Sequence, residues 1–393
     1  MTDPHTKRIL GLPANIFLLG VVSFFNDLSS EMILAVLPAF FIAVLHTGAI
    51  SLGLVEGVAD GAANLIKIYA GNLSDRIQKR KMFITAGYLL SVATRPFYVF
   101  ASTVGGVVGL RLLDRTGKGL REGPRDAIIS LSSPKAELGR SFGYHRTMDT
   151  LGAITGPLIA YLILRHFPQG FHVVFMTAFI TGLFAVTATL FVSDVVGKIK
   201  GKKLSLASLA LFSRDFKIYL CALFFLAAGS LPVAVMLLQT AHLGAALASI
   251  PLFYALYNSS YAAFSIVGGK WSDRIGARRV IGVGYLLLIM SYAVIALAPS
   301  LRVLASGFLL LGLFPALTDG VLRAHAATLT PEEDRGGAYG LVNAVLGFGA
   351  IIAGIGGGYL WQTFSAAVAF GVGALIVLCG LILLYFSHRS VSI

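Results

Sequence analysis

Acidic and basic side chains interrupt a sequence that is otherwise strongly apolar, and their spacing carries its chemistry. Asp27 and Glu31 stand four residues apart, on one face of a helix, with Ser23, Asn26 and Ser30 beside them. Glu56, Asp60 and Asn64 repeat that spacing in the next apolar run, and Lys67 follows three residues later. Arg111 and Arg115 lie one helical turn apart, flanked by Asp114 and Lys118. Neighbouring carboxylates repel, and burial penalises the charged form further, so one of two such groups is disposed to keep a proton. A carboxyl of that kind can take a proton on one side of a barrier and release it on the other. Guanidinium stays charged and pairs with carboxylate or phosphate. Arg111 and Arg115 therefore read either as permanent partners of Asp27 and Glu31 or as part of a site for an anion. For Glu56 and Asp60, structural pairing or solvation stands level with a functional role.

The elements that hold these groups follow from composition. Of 393 residues, 56% are hydrophobic and 12% charged, against about 45–50% and about 25% in soluble domains. The mean hydropathy is +0.83. Lipid must be the solvent for most of the chain. Apolar runs of about 20 residues, each enough to span a ~30 Å hydrocarbon core, recur at 15–44, 49–71, 82–102, 105–131, 140–164, 170–193, 216–241, 246–268, 280–299, 301–323, 337–360 and 364–386. The first reads as a retained helix, since no small-residue cleavage site follows it. An ionisable group inside such a span costs at least ~2.5–3.5 kcal/mol, which makes each one a functional candidate.

The net charge of +13 fits loop-borne topology signals better than nucleic-acid binding. Lys7, Arg8, Arg76, Lys79, Arg80, Lys81, Lys135, Arg140, Lys198, Lys200, Lys202, Lys203, Arg214, Arg274, Arg278 and Arg279 fall in alternate loops, whereas the opposite loops carry little beyond Arg165 and Arg302. The asymmetry predicts a multi-pass protein of the cytoplasmic (inner) membrane with both termini inside. Neither cysteine suggests a disulfide scaffold, and the eight histidines lack metal-ligand spacing. No phosphate-cradling Gly-x-x-x-x-Gly-Lys-Ser/Thr loop and no His-Glu-x-x-His motif occur. Neither an enzyme nor a resident cofactor or metal is expected.

The chain repeats itself. Gly71-Asn-Leu-Ser-Asp75-Arg76-Ile returns as Gly269-Lys-Trp-Ser-Asp273-Arg274-Ile, an offset of 198 residues (75 to 273), and Pro134–Gly143 matches Pro331–Gly340 at 197. Two matches at nearly one offset indicate duplication. The repeat predicts an all-α membrane protein of twelve transmembrane helices in two parallel-repeat six-helix bundles, 1–193 and 216–393, joined by a linker at 194–215. A solute site is expected near the midplane between such repeats, with Asn26, Asn64, Tyr257, Asn258 and Asn343 as its uncharged lining. Tyr254, Tyr257 and Tyr261 share a face, and core packing is their first reading, with cavity lining second.

Gly269 to Arg279, and Gly71 to Lys81 apart from Gln78 where glycine is usual, resemble the loop signature of the major facilitator superfamily, and the resemblance covers essentially the whole chain. Arg115-Thr-Gly-Lys-Gly119 and Gly152-Ala-Ile-Thr-Gly156-Pro157 look like further motifs of that family, the second associated with exporters. Residues 23–32 and 114–126 are similar to a bacterial subgroup, mostly uncharacterised and in part linked to nickel resistance, although the His-rich tail of the metal-linked members is missing. The resemblance implies that Gly71, Asp75, Arg76 and Lys79 latch the outward-open state with Asp126 as partner, and that Asp273 and Arg274 are their repeat counterparts. It implies a monomeric, proton-coupled secondary carrier of a small solute, working by alternating access and exporting in exchange for protons. An uptake symporter or an uncoupled facilitator, for an organic anion or a metal ion, is the alternative. Asp27, Glu31, Glu56, Asp60, Lys67, Arg111 and Arg115 are the candidates for coupling and solute binding.

Overall fold

A computed structural model describes residues 8–134, 137–195, 212–331 and 334–386, and within these the side chains of Asn72 and Asp75 lie outside the description. The linker lysines Lys198, Lys200, Lys202 and Lys203 also fall outside it. The chain opens with a short hairpin, β1 (Arg8–Ile9) and β2 (Leu12–Pro13). Leu10 and Gly11 turn it at φ 50° and 76°.

Helices then follow one another almost without interruption: α1 (Ala14–Ala43), α2 (Ala49–Ile77), α3 (Arg80–Thr94, continued by a 3-10 segment Arg95–Phe100), α4 (Val104–Ser132), α5 (Leu138–His166) and α6 (Phe171–Leu190). After the linker come α7 (Arg214–Ala228), α8 (Val233–His242), α9 (Ile250–Ile275), α10 (Ala277–Ala296), α11 (Leu301–Thr328), α12 (Arg335–Thr363) and α13 (Ala366–Phe386). The twelve expected spans are all helical. The seventh is broken into α7 and α8 at Gly229–Pro232, where Pro232 has no N–H to continue the α7 ladder and caps α8 instead. Among the described residues nine spans are long and apolar enough to cross a bilayer on composition alone. The α4 helix is not one of them, because Arg111, Asp114, Arg115 and Lys118 occupy its middle.

Two compact units emerge, Met1–Leu45 with Ala62–Ile199, and His46–Gly61 with Lys200–Ile393. In the first, α1 packs on α5 and α6, and α3 on α4. In the second, α11 packs on α9 and α10, and α7 on α12 and α13. The division runs through α2. Its first half joins the second unit because glycine meets glycine there: a Cβ on Gly354 of α12 would lie 2.3 Å from the carbonyl oxygen of Gly53. Small residues allow such backbone contact between membrane helices, where lipid offers no hydrophobic drive for association.

Candidate functional site

Within the first unit, Asp27 of α1 meets Asp149 of α5, with the two carboxyl groups close enough for one to hydrogen-bond the other. A hydrogen bond between two carboxyl groups requires a proton on one of them, and the pair would then carry one negative charge where two free carboxylates carry two. Ser23 Oγ donates to Asp149 Oδ1 at 2.5 Å, Arg146 Nη1 donates to Asp149 Oδ2 at 3.1 Å, and Asn26 Nδ2 donates to Asp27 Oδ1 at 2.9 Å. Glu31, one turn along α1, and Lys118 of α4 are the other charges acting on Asp27.

Two glycines of α5 make this meeting possible. A Cβ on Gly152 would stand 2.4 Å from the carbonyl oxygen of Phe24, and one on Gly156 would stand 2.5 Å from that of Leu28. Any side chain at either position would hold α5 away from α1. The glycines of the Gly-Pro motif thus set the distance at which Asp149 reaches Ser23 and Asp27.

Behind the pair lies a second layer. Asn26, only 2% exposed, accepts from Arg95 Nη2 at 3.2 Å while it donates to Asp27. It orients the carboxyl from within the core. Arg95 itself is 1% exposed and also donates to Ser29 Oγ and to the Ala178 carbonyl. Its planar fork reaches α1 and α6 at once, which a lysine cannot do.

The α4 cations meet carboxylates on α4 itself, beside a neighbouring charge of α2. Arg111 pairs with Asp114 on its own helix at 3.2 Å, since three residues bring two side chains onto one face. Asp114 also feels the charges of Arg115, Arg95 and Arg121. Arg111 thus belongs to an arginine cluster around one carboxylate. Arg121 donates to Ser91 Oγ at 2.7 Å and lies 4.5 Å over the Tyr88 ring. Lys67 of α2 pairs with Glu122 of α4, which Lys118 approaches at 3.8 Å.

The loop signature proves to be mostly helical. Gly71 to Ile77 form the last turns of α2, and Asp273 and Arg274 the last turn of α9. They were expected to begin loops. Only Gln78–Lys79 and Gly276 make the turns, and they do so with the same handedness: φ is 58° at Gln78 and 91° at Gly276. Gln78 therefore takes a positive φ, which its glycine counterpart adopts freely. Arg76, Lys79, Asp273 and Arg274 are exposed. Asp126 accepts from Arg125 Nη2 at 2.9 Å. The side chain of Asp75 lies outside the description.

The remaining candidates are dispersed. Glu56 is buried and Asp60 half-buried in the first half of α2, and Asn64 is half-buried beyond Gly61. Tyr257 stacks on Tyr254 with ring centres 5.7 Å apart, Asn258 is buried, and Asn343 is buried with Oδ1 unpartnered among the described residues. Tyr261 donates to Asp319 at 2.7 Å. Among the described residues no group of three His, Cys, Asp or Glu side chains is gathered to hold a metal.

Sequence reasoning missed Asp149, His145 and Arg146, although all three lie inside the predicted fifth span and qualified as intramembrane ionisable groups. Attention to i, i+4 pairs within one helix hid a pair formed between helices.

Two segments of the chain, residues 19–258 and 218–392, match the model of the Major Facilitator Superfamily. An uncharacterised MFS-type transporter of Methanocaldococcus jannaschii is 33% identical over 385 residues, 95% of each chain. A class E tetracycline resistance protein from Escherichia coli is 34% identical over 139 residues, 35% of this chain and 34% of its own. The solved structure of the nucleoside transporter NupG superposes with a TM-score of 0.78 at 16% identity, covering 96% of this chain and 99% of that one.

Proposed function

The chain belongs to the major facilitator superfamily of membrane transporters, and from that premise we propose that it is a proton-coupled secondary carrier in which the Asp27–Asp149 pair holds the coupling proton. The observation that carries this reading is the hydrogen bond between two carboxyl groups of different helices inside the bilayer. A shared proton is lost when the two helices part or when a cation arrives. Either event leaves two like charges in a medium that penalises them. Proton release and helix movement are thereby linked, which is what alternating access driven by a proton gradient requires.

Export is the preferred direction. The Gly152-to-Pro157 motif supports it, and so does the partial likeness to a tetracycline resistance protein. The loop charges favour both termini on the cytoplasmic side of the inner membrane. The carrier works as a monomer of two six-helix bundles joined by the 194–215 linker. Its solute is a small molecule, and the mixture of carboxylates and arginines is compatible with either sign of charge or both.

The test is a proteoliposome assay with a lumenal pH dye, screening metals, organic anions, amino acids and cationic drugs. The solute that the wild type carries dissipates an imposed pH gradient. Asp27→Asn and Asp149→Asn insert normally and lose that dissipation. Full pH-driven transport by both variants refutes the coupling role.

A further inference from the structure

On α5, Ser141, His145 and Asp149 recur every four residues and so share one helical face. Each step is about 6 Å along the axis, from a rise of 1.5 Å per residue. One ordered water can bridge such a step. The row starts one turn inside the Leu138 end of the helix, on the side where the loop charges place the cytoplasm, and finishes at the Asp27–Asp149 pair. Ser141 is fully buried and His145 is 5% exposed. Neither Ser141 Oγ nor His145 Nε2 has a hydrogen-bond partner among the described residues. Burying such groups unpaired costs about 1–3 kcal/mol each, so neither is present for packing alone.

We infer that Ser141 and His145 form a proton path between the cytoplasmic end of α5 and the Asp27–Asp149 pair, with His145 as the relay. The inference rests on the proton-coupled reading above. Four charged groups face the imidazole: Arg125 and Asp126 from α4, and Arg146 and Asp149 from α5 itself. From α1, Asp27 stands beyond Asp149. Two cations and two carboxylates thus flank the ring.

The transfer balances as two steps. The O–H bond of the protonated carboxyl breaks as an N–H bond forms on the ring, giving carboxylate and imidazolium. The other ring nitrogen then gives its proton to water at the Ser141 end, leaving a neutral imidazole and hydronium. The two ring nitrogens make histidine suited to accepting on one side and donating on the other. Proton uptake runs the same steps in reverse.

The path can be tested without knowing the solute. Purified protein in lipid is subjected to a pH jump, and the carbonyl stretch of protonated buried carboxyl groups is followed by time-resolved infrared spectroscopy. In the wild type a band assigned to the pair appears, and Asp27→Asn removes it. In His145→Gln the band keeps its amplitude and midpoint, which shows the pair intact, but relaxes about 100-fold more slowly, the lower end of what a positioned acid–base group contributes. Added imidazole restores part of the rate in His145→Gly, a response that a merely structural histidine would not give. Ser141→Ala slows relaxation less. A band that relaxes equally fast in the wild type and in His145→Gln overturns the relay and leaves the coupling pair standing. Absence of the band from the wild type overturns the coupled reading and the relay together.

Discussion

Replacing Gly152 by alanine tests the claim that backbone contact between α1 and α5 creates the coupling pair. The added Cβ would lie 2.4 Å from the Phe24 carbonyl oxygen and 3.1 Å from Asp27 Cβ. An ordinary carbon–oxygen contact is about 3.3 Å or more, so the helices must part by about 1 Å at this level. The Ser23–Asp149 hydrogen bond, now 2.5 Å, would then approach ~3.5 Å, where it ceases to be one. Overpacking costs about 1–3 kcal/mol and the weakened bond to a charged group up to about 1.5–3 kcal/mol. Exchanging glycine for alanine inside a helix returns about 0.5–1 kcal/mol. The net expectation is a loss of roughly 2–5 kcal/mol from those terms, together with loss of proton-driven transport. Gly143 supplies the control: it lies on the same helix, and a Cβ there meets nothing within 4 Å. Gly143→Ala should gain about 0.5–1 kcal/mol. Reversible unfolding of both variants in mixed micelles, followed by circular dichroism, measures the difference. Equal stability of Gly152→Ala and Gly143→Ala would refute the reasoning.

Gln78→Gly should raise stability by about 1 kcal/mol, because glycine takes the positive φ at this turn without the steric penalty borne by glutamine. No gain in the unfolding midpoint would mean that the Gln78 side chain compensates for its backbone. Arg95→Lys should cost about 2–3 kcal/mol, since an ammonium cannot span Asn26 and Ser29 together and leaves buried acceptors unpaired. A lysine variant as stable as the wild type would show that charge alone, without the guanidinium fork, suffices at this position.

The membrane class, the twelve helical spans and the repeat were legible because each is written in local composition or in direct self-similarity. Lipid demands about 20 apolar residues per crossing, and Gly71–Ile77 returning as Gly269–Ile275 needs no structure to be seen. Asp27, Arg111 and Arg115 were identified as buried charge for the same reason. The break at Gly229–Pro232 was also written in the chain, but a break inside one apolar run does not alter the hydropathy that defined the span.

Partnership is another matter. Sequence spacing reports which residues share a helical face, and it says nothing about which face of another helix lies opposite. Arg111 was open to Asp27 or to a bound anion, and the structure pairs it with Asp114 on its own helix. Asp149 is 122 residues from Asp27, and only the approach of α5 to α1 over Gly152 and Gly156 brings their carboxyl groups together. The sequence by itself determined where charge enters the bilayer, because insertion energy is summed residue by residue along one helix. The tertiary structure decided which charges meet, because that depends on distances between helices fixed by glycines that carry no charge.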